Sequence, residues 1–187
     1  VGYGSELRGV DPRSGAGQHL SPEAFHAAVG EALAESGGGS GPGEGNSSSS
    51  SSSSSSGAML IDIRNSFEHS IGHFSGAVNP EMRITSDFKP WVDRHLGELQ
   101  GKKLLLYCTG GVRCEKASAF LLQQPGIQDV SQLSGGIHRY LEAFPDDGGL
   151  WVGKNYTFDK RFSHGAAKSE TISECVVCRE PWERYQA

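Results

Sequence analysis

One cysteine carries the strongest chemical signal in this sequence. In the stretch YCTGGVRCEKAS, residues 107–118, Cys108 stands between an apolar run and a glycine pair. The thiolate is the nucleophilic form of cysteine, and surrounding N–H groups and cations favour it over the thiol. The glycines let successive N–H groups point inward, the helix predicted after them adds a partially positive N-terminus, and Arg113 supplies a fixed cation. We therefore predict that Cys108 is a catalytic nucleophile.

The residues that follow Cys108 are predicted to form an anion-binding loop. Its members are Thr109, Gly110, Gly111, Val112 and Arg113. Such a loop would also hold a negative group attached to the sulfur, such as a persulfide. The alternative is a small buried cysteine that merely precedes a glycine turn. The coincidence of the glycine pair, the arginine and the predicted strand end favours the nucleophile.

The other three cysteines leave alternatives open. Cys114 is either a resolving thiol for Cys108 or a core residue on the first turn of the predicted helix. Cys175 and Cys178 form a Cys-x-x-Cys pair, which supplies half of the ligands of a tetrahedral zinc site. A disulfide or two unligated thiols are the rival interpretations of that pair. Four cysteines in 187 residues favour reduced thiols and an intracellular setting. The cytoplasm is the expected compartment, and an organelle is the alternative.

The predicted elements place Cys108 where a ligand site is expected. The apolar runs AMLIDIRN and KKLLLYC predict buried strands, of which the first carries Asp62 and Arg64 and the second ends at Cys108. VDRHLGEL and CEKASAFLLQQ predict helices, and DVSQLSGGIHRYLEAF predicts a strand, a Gly-Gly turn and a helix. This alternation predicts an α/β fold with a central parallel sheet and helices on both faces. Open sheets of this class bind ligands at the carboxyl ends of their strands.

The chain divides into four predicted segments. Residues 1–36 form a lead-in with a short helix, for which Ser21 is a suitable N-cap and Pro22 a suitable first residue. Residues 37–57 are a Gly/Ser-rich insertion, predicted to be flexible because it has no side chains that could form a core. Residues 58–147 form the α/β domain, and residues 148–187 form a C-terminal extension that carries the Cys-x-x-Cys pair.

Composition and charge argue against two classes of partner. No stretch approaches the roughly 18 apolar residues of a membrane span, and the N-terminus lacks the pattern of a signal peptide. The formal net charge is −5, and most of it lies before residue 58. The remainder is nearly neutral, without the basic excess of a self-sufficient nucleic-acid binder.

Three motifs together resemble the rhodanese superfamily. LIDIRNSFEHSIGHFSGAVN is similar to its first signature, with Asp62, Arg64 and Glu68 followed by Gly72-His73 and Gly76-Ala77. YCTGGVRCEKASAFL resembles the active-site loop, and QLSGGIHRYLEAF resembles the closing strand, turn and helix. The resemblance covers residues 58–145 and implies a rhodanese domain over 58–147.

The rhodanese resemblance implies roles for several residues. Cys108 would carry sulfur as a persulfide, Asp62 and Arg64 would brace the loop without reacting, and His73 would serve packing and hydrogen bonding. Cysteine phosphatases of the related fold place five residues between cysteine and arginine, whereas this chain has four between Cys108 and Arg113. The shorter loop favours a sulfur-sized anion over phosphate.

A narrower resemblance extends outside that domain. CTGGVRCEKAS, the lead-in VDPRSGAGQHLSPEAFH, and the C-terminal YTFDKRFSHG and CVVCREP resemble one branch of the superfamily. It contains the oxygen-dependent tRNA uridine hydroxylases and the thiosulfate sulfurtransferase/rhodanese-like domain-containing proteins. Bacterial members carry an N-terminal domain and a second Cys-x-x-Cys pair, neither of which is matched here.

This branch resemblance sets the functional expectations. It implies a sulfurtransferase that moves sulfur from a small donor such as thiosulfate to a thiophilic acceptor, with tRNA uridine hydroxylation as the family-level alternative. It implies a role in tRNA wobble-uridine modification, with tRNA bound through the full-length protein. No cofactor is required, zinc would belong to the full-length protein, and no membrane partner is expected. The rival function is a non-catalytic rhodanese-like binding or regulatory module, but such modules usually lose the cysteine.

The Gly/Ser insertion provides a first test. Deleting the tract Gly37–Ser56 should leave the melting temperature nearly unchanged, because the tract cannot bury enough apolar surface to offset about 1–2 kcal/mol of backbone entropy per ordered residue. Differential scanning calorimetry of the two chains makes the comparison. A loss of several degrees on deletion would contradict the predicted flexibility.

Overall fold

The computed structural model describes residues 9–36, 57–159, 162–175 and 177–182. The predicted insertion lies outside these residues except for Gly57, so its flexibility stays a prediction. The divisions predicted at residues 36, 57 and 147 also stay predictions. Among the described residues, no helix combines the length and the apolar character needed to cross a membrane.

The centre of the fold is a four-stranded sheet in which every neighbouring pair of strands is parallel. Its strands are β1 (Gln18–Leu20), β2 (Ala58–Asp62), β4 (Lys103–Tyr107) and β5 (Asp129–Leu133). Their spatial order is β1-β5-β4-β2. The predicted parallel α/β sheet is confirmed, and β1 is an addition that the sequence pattern did not indicate.

Within the described ranges, five α-helices accompany the sheet. They are α1 (Pro22–Ser36), α2 (Ser66–Ile71), α3 (Phe88–Leu99), α4 (Val112–Leu122) and α5 (Gly136–Ala143). Helix α1 begins where the sequence predicts, because the Ser21 hydroxyl accepts a hydrogen bond from the Ala24 amide at 3.2 Å. Helix α3 begins earlier than the predicted VDRHLGEL, since the buried Phe88 and Trp91 extend its apolar face by a turn. The short α2 was not predicted.

The strand β4 explains why helices are needed on both faces. Leu104 and Leu106 point into one apolar cluster with α3 and α4, while Leu105 and Tyr107 point into another with α1 and α5. All four side chains are fully buried. Side chains alternate between the faces of a strand, so a strand that is apolar at every position must be covered on both sides.

In the described part of the chain, two small antiparallel strand pairs extend the domain beyond the sheet. β3 (Gly72–Phe74) pairs with β6 (Trp151–Gly153), and β7 (Asn155–Tyr156) pairs with β8 (Ser163–His164). Trp151 packs edge-on against Phe74 at 5.1 Å between ring centroids. This contact attaches the C-terminal extension to the core.

Candidate active site

Cys108 follows the last residue of β4, at the carboxyl edge of the sheet. Its side chain is 1% exposed. Four residues later α4 is already in its first turn, so the chain must reverse sharply between strand and helix. Gly111 makes that reversal with a φ of +87°, a backbone conformation that favours glycine. The predicted strand, loop and helix are therefore present in that order.

The loop is held from outside by the start of α5. The carbonyl of Cys108 accepts a hydrogen bond from the Ile137 amide at 3.0 Å, and the carbonyl of Thr109 accepts one from the His138 amide at 3.1 Å. These bonds use N–H groups that a helix N-terminus leaves unpaired. These two bonds fix the loop against the start of α5.

Gly136 is required by this contact. A Cβ at this position would overlap the carbonyl oxygen of Cys108 and would lie 2.7 Å from the amide nitrogens of Gly110 and Gly111. Its φ of +66° also lies in the left-handed region. The second glycine of the predicted Gly-Gly turn therefore serves the cysteine loop as well as the turn.

The surroundings of Cys108 stabilise its thiolate. A hydrogen bond from the Cys114 thiol lowers the pKa of Cys108 most, burial opposes it, and the charge of Arg113 and the amides of Cys114 and Arg113 lower it further. The resulting pKa is about 6, so the thiolate predominates at neutral pH. Burial, together with the hydrogen bond to Cys108, raises the pKa of Cys114 well above its usual value. Cys114 therefore stays a thiol that donates.

Arg113 has a partner that sequence analysis did not assign. Its two terminal nitrogens donate to the two carboxylate oxygens of Glu68 at 2.7 and 2.8 Å, and one of them also donates to the Thr109 hydroxyl at 3.0 Å. Arg113 is 8% exposed and Glu68 is fully buried. A buried cation needs such a fork-to-fork partner. The predicted fixed cation is present, but its donors are largely occupied by protein oxygens.

Asp62 and Arg64 form a second buried ion pair, which is connected to Arg113 through Glu68. The Arg64 guanidinium donates to both carboxylate oxygens of Asp62, at 2.9 and 2.6 Å, and to the backbone oxygens of Glu68 and Gly72. The Tyr107 hydroxyl donates to Asp62 at 2.8 Å. Burial alone would raise the pKa of Asp62, but Arg64 and His69 hold it at about 2. This network fixes the strand end and α2, which carries Glu68.

The structure brings together histidines that sequence spacing did not relate. The rings of His69 and His73 stack at 4.2 Å between centroids, and burial lowers the pKa of His73. His138 Nδ1 lies 3.1 Å from His164 Nε2. Among the residues that the structure describes, the groups that shift the pKa of Cys108 include no histidine. His73 donates to the His69 carbonyl at 2.9 Å, as a hydrogen-bonding residue would.

Cys175 and Cys178 lie apart from this network, in a turn of the C-terminal extension. Glu174 and Pro181 form an antiparallel bridge, and the Arg179 amide donates to the Cys175 carbonyl at 2.9 Å. The amides of Cys178 and Val177 lower the pKa of Cys175. Such a turn suits a thiolate that binds metal, but the described residues contain no group of three or more metal-binding side chains. They offer two ligands of the four that structural zinc requires.

Two protein-family models match this chain. The Rhodanese-like domain family matches residues 50–143. The chain belongs to the rhodanese-like family. The Rhodanase C-terminal family matches residues 152–187 of this rhodanese-like chain. Both the domain and its extension therefore have family counterparts, as the motifs predicted.

Curated relatives resemble this rhodanese-like chain over most of its length. Rhodanese-like domain-containing protein 6 of Arabidopsis thaliana is 37% identical over 177 residues, which are 92% of this chain and 27% of the relative. A protein named tRNA uridine(34) hydroxylase from Mesorhizobium japonicum is 37% identical over 174 residues, 92% of this chain and 48% of the relative. The chain thus spans half or less of these two relatives. The solved thiosulfate sulfurtransferase of Pseudomonas aeruginosa aligns with 68% of this chain and 19% of its own, with a TM-score of 0.46 and 16% identity.

Gly136 offers a direct test of the loop's support. Gly136→Ala should slow alkylation of Cys108 at pH 7 by tenfold or more, because the new methyl group displaces the loop that carries Cys108 and so disturbs the hydrogen bonds that lower its pKa. Gly97→Ala is the matched control, since a Cβ there meets no atom within 4 Å. Mass spectrometry of iodoacetamide-treated protein measures both rates. Equal rates in Gly136→Ala and wild type would show that the loop does not depend on this contact.

Cys114 can be tested by removing its hydrogen bond and then restoring a donor. Cys114→Ala should slow alkylation of Cys108 at pH 7 by roughly tenfold, because the pKa of Cys108 moves toward the free-cysteine value of about 8.5. Cys114→Ser keeps a hydroxyl donor of similar size and should recover much of the rate. A Cys114→Ala variant as reactive as wild type would show that Cys114 only packs in the core.

Proposed function

We propose that this rhodanese-like chain is a sulfurtransferase in which Cys108 is the nucleophile and the transient carrier of sulfur. The observation that carries the proposal is a buried cysteine whose pKa is lowered to about 6 inside a loop with unused amides. Within the described part of the chain, the amides of Gly110 and Gly111 have no hydrogen-bond acceptor. They are suited to hold a negative group bonded to the sulfur.

The first half-reaction loads the cysteine. The Cys108 thiolate attacks the outer sulfur of a donor such as thiosulfate and forms a new S–S bond. The bond between that sulfur and the sulfonate sulfur breaks, and sulfite leaves with its electron pair. Cys108 is left as an anionic persulfide, whose terminal sulfur can accept hydrogen bonds from the loop amides.

The second half-reaction releases the sulfur. A thiophilic acceptor, such as cyanide or a thiolate, attacks the terminal sulfur of the persulfide, and the Cys108 thiolate leaves with the electrons of the S–S bond. A low pKa favours departure as well as formation of the thiolate. The hydrogen bond from Cys114 and the charge of Arg113 thus support both steps.

Arg113 has a supporting role in this proposal. Its donors are committed to Glu68 and Thr109, so the loop amides receive the donor anion while the guanidinium stabilises negative charge nearby. A resolving disulfide between Cys108 and Cys114 is not part of the cycle, because the raised pKa of Cys114 makes it a poor nucleophile.

We further propose that the full-length protein acts in tRNA wobble-uridine modification. Support comes from the relatives named tRNA uridine(34) hydroxylase, which match more than nine-tenths of this chain. The alternative implied by these relatives is that the protein hydroxylates the uridine instead of transferring sulfur to it, and tRNA would be the partner in either case.

The binding-module function is disfavoured, because such a module has no need of a stabilised thiolate at Cys108. Cys175 and Cys178 would contribute to zinc binding only together with ligands from elsewhere.

The decisive experiment is intact-mass analysis after thiosulfate treatment. Wild type should gain the mass of one sulfur atom, cyanide should remove it, and Cys108→Ser should gain none while keeping its fold. The double variant Cys175→Ser/Cys178→Ser is the matched control and should still load one sulfur. An unloaded wild type, or loading that survives in Cys108→Ser, would contradict the proposal.

A further inference from the structure

Two histidines meet where the C-terminal extension packs against α5. His138 lies on α5, and His164 lies on β8 of the extension. His138 Nδ1 is 3.1 Å from His164 Nε2, and the two rings stand edge to face with their centroids 5.0 Å apart. Neither histidine takes part in the proposed sulfur transfer. The pair nevertheless adjoins the cysteine loop, because the His138 amide donates to the Thr109 carbonyl at 3.1 Å.

Asn155 brings a third polar group to this pair. It stands directly opposite His164 in the β7–β8 pair, so the two side chains lie on the same face. The Asn155 amide nitrogen is 3.2 Å from His164 Nε2. Asn155 is fully buried, and its Oδ1 has no hydrogen-bond partner among the described residues. A buried amide oxygen without a partner is costly, so any cation or donor that this oxygen can reach stabilises the side chain.

Hydrogen bonds alone satisfy this arrangement poorly. A ring nitrogen of neutral histidine carries either one hydrogen or one lone pair. His164 Nε2 has neighbours at 3.1 and 3.2 Å, so a single hydrogen or lone pair must serve both. Nitrogen ligands bind Zn²⁺ at about 2.0–2.1 Å, which places two of them about 2.9–3.4 Å apart at angles of roughly 90–110°. The spacing of His138 Nδ1 and His164 Nε2 therefore fits two lone pairs that face one cation.

The surroundings of His138 favour a lone pair on the nitrogen that faces His164. The Glu142 carboxylate, which also binds Arg139, lies 3.8 Å from the other ring nitrogen of His138 and favours a hydrogen there. A carboxylate behind the outer nitrogen is a common support of a metal-binding histidine. The His138 side chain is 45% exposed, so a cation can enter from solvent. The Asn155 amide can turn over to present its oxygen, since that oxygen has no hydrogen bond to lose within the described part of the chain.

We propose that His138 Nδ1, His164 Nε2 and the Asn155 amide oxygen bind a divalent transition-metal ion such as Zn²⁺. Imidazole nitrogen suits Zn²⁺, Ni²⁺ and Cu²⁺, whereas Mg²⁺ and Ca²⁺ prefer sites made of oxygen atoms. Among the described residues, no other His, Cys, Asp or Glu joins the two histidines to make a group of three, so water fills the remaining positions. The ion joins the extension to α5, whose first turn holds the Cys108 loop. The site uses neither cysteine of the Cys-x-x-Cys pair and does not depend on sulfur transfer.

Zinc titration of the ¹⁵N-labelled chain tests the site. The chain carries Cys175→Ser/Cys178→Ser, so that the thiols of the extension do not compete for the ion. Zn²⁺ should shift the ring ¹⁵N signals of His138 and His164, and Mg²⁺ should not. In calorimetric titrations, His138→Gln and His164→Gln should each weaken Zn²⁺ binding at least tenfold, since even the loss of a supporting contact costs about 10–100-fold in metal affinity. His95→Gln removes an imidazole on α3 whose Nδ1 donates to a backbone carbonyl, and this matched control should bind Zn²⁺ as the parent does.

The ring signals and the affinities decide the proposal together. Unshifted signals of His138 and His164 at millimolar Zn²⁺, equal shifts with Mg²⁺, or unchanged Zn²⁺ affinity in either glutamine variant would each overturn the metal site. Selective shifts of these two rings, with affinity lost in both variants and kept in His95→Gln, would uphold it. The ring signals are measured in a chain that keeps both histidines, so they test the site even if a glutamine variant fails to fold.

Discussion

A negative sulfur inside a protein is costly unless donors and cations replace the water it has lost. Cys108 is almost completely buried, yet its pKa is held at about 6. The Cys114 thiol, the Arg113 charge and nearby amides replace that water. Each of these groups needs support of its own: Cys114 needs burial to remain a donor, and Arg113 needs Glu68. The elements around β4 supply this support.

The supports form a chain that runs from the sulfur to the sheet. Arg113 is paired with Glu68 on α2, and the Glu68 carbonyl in turn accepts from Arg64, which is paired with Asp62 at the end of β2. Breaking a buried pair by removing one partner costs about 3–5 kcal/mol, since a charge is left uncompensated. The two ion pairs therefore make α2 a rigid back wall for the loop. Helix α5 fixes the opposite side through the carbonyls of Cys108 and Thr109.

Sequence patterns predicted the parallel sheet, the position of Cys108 at a strand end and the glycine turn before α5, because each depends on local periodicity or on one residue's backbone freedom. They did not assign the partner of Arg113, because Glu68 lies 45 positions away and only folding brings the two together. The sequence places Gly136 in a glycine turn. The reason why glycine is needed there, the close approach of the Cys108 carbonyl, is visible only in the tertiary structure. The contact of His19 with Glu115 spans 96 positions and depends on β1, a three-residue strand too short to give a periodic signal. The sequence left open whether Cys114 is a resolving thiol or a core residue. Its role as a hydrogen-bond donor to Cys108 follows only from the positions of the two side chains in the fold.

The central claim is that the folded chain stabilises the Cys108 thiolate, and the pH dependence of its alkylation tests that claim most directly. Rates at Cys108 would be followed by peptide mass spectrometry from about pH 4 to about pH 10, a range that brackets both the shifted and the ordinary thiol pKa. Because the thiolate is the reactive form, the rate should rise through a midpoint at about pH 6 and be level above neutral pH. A midpoint near the free-cysteine value of about 8.5, or above it, would contradict the account.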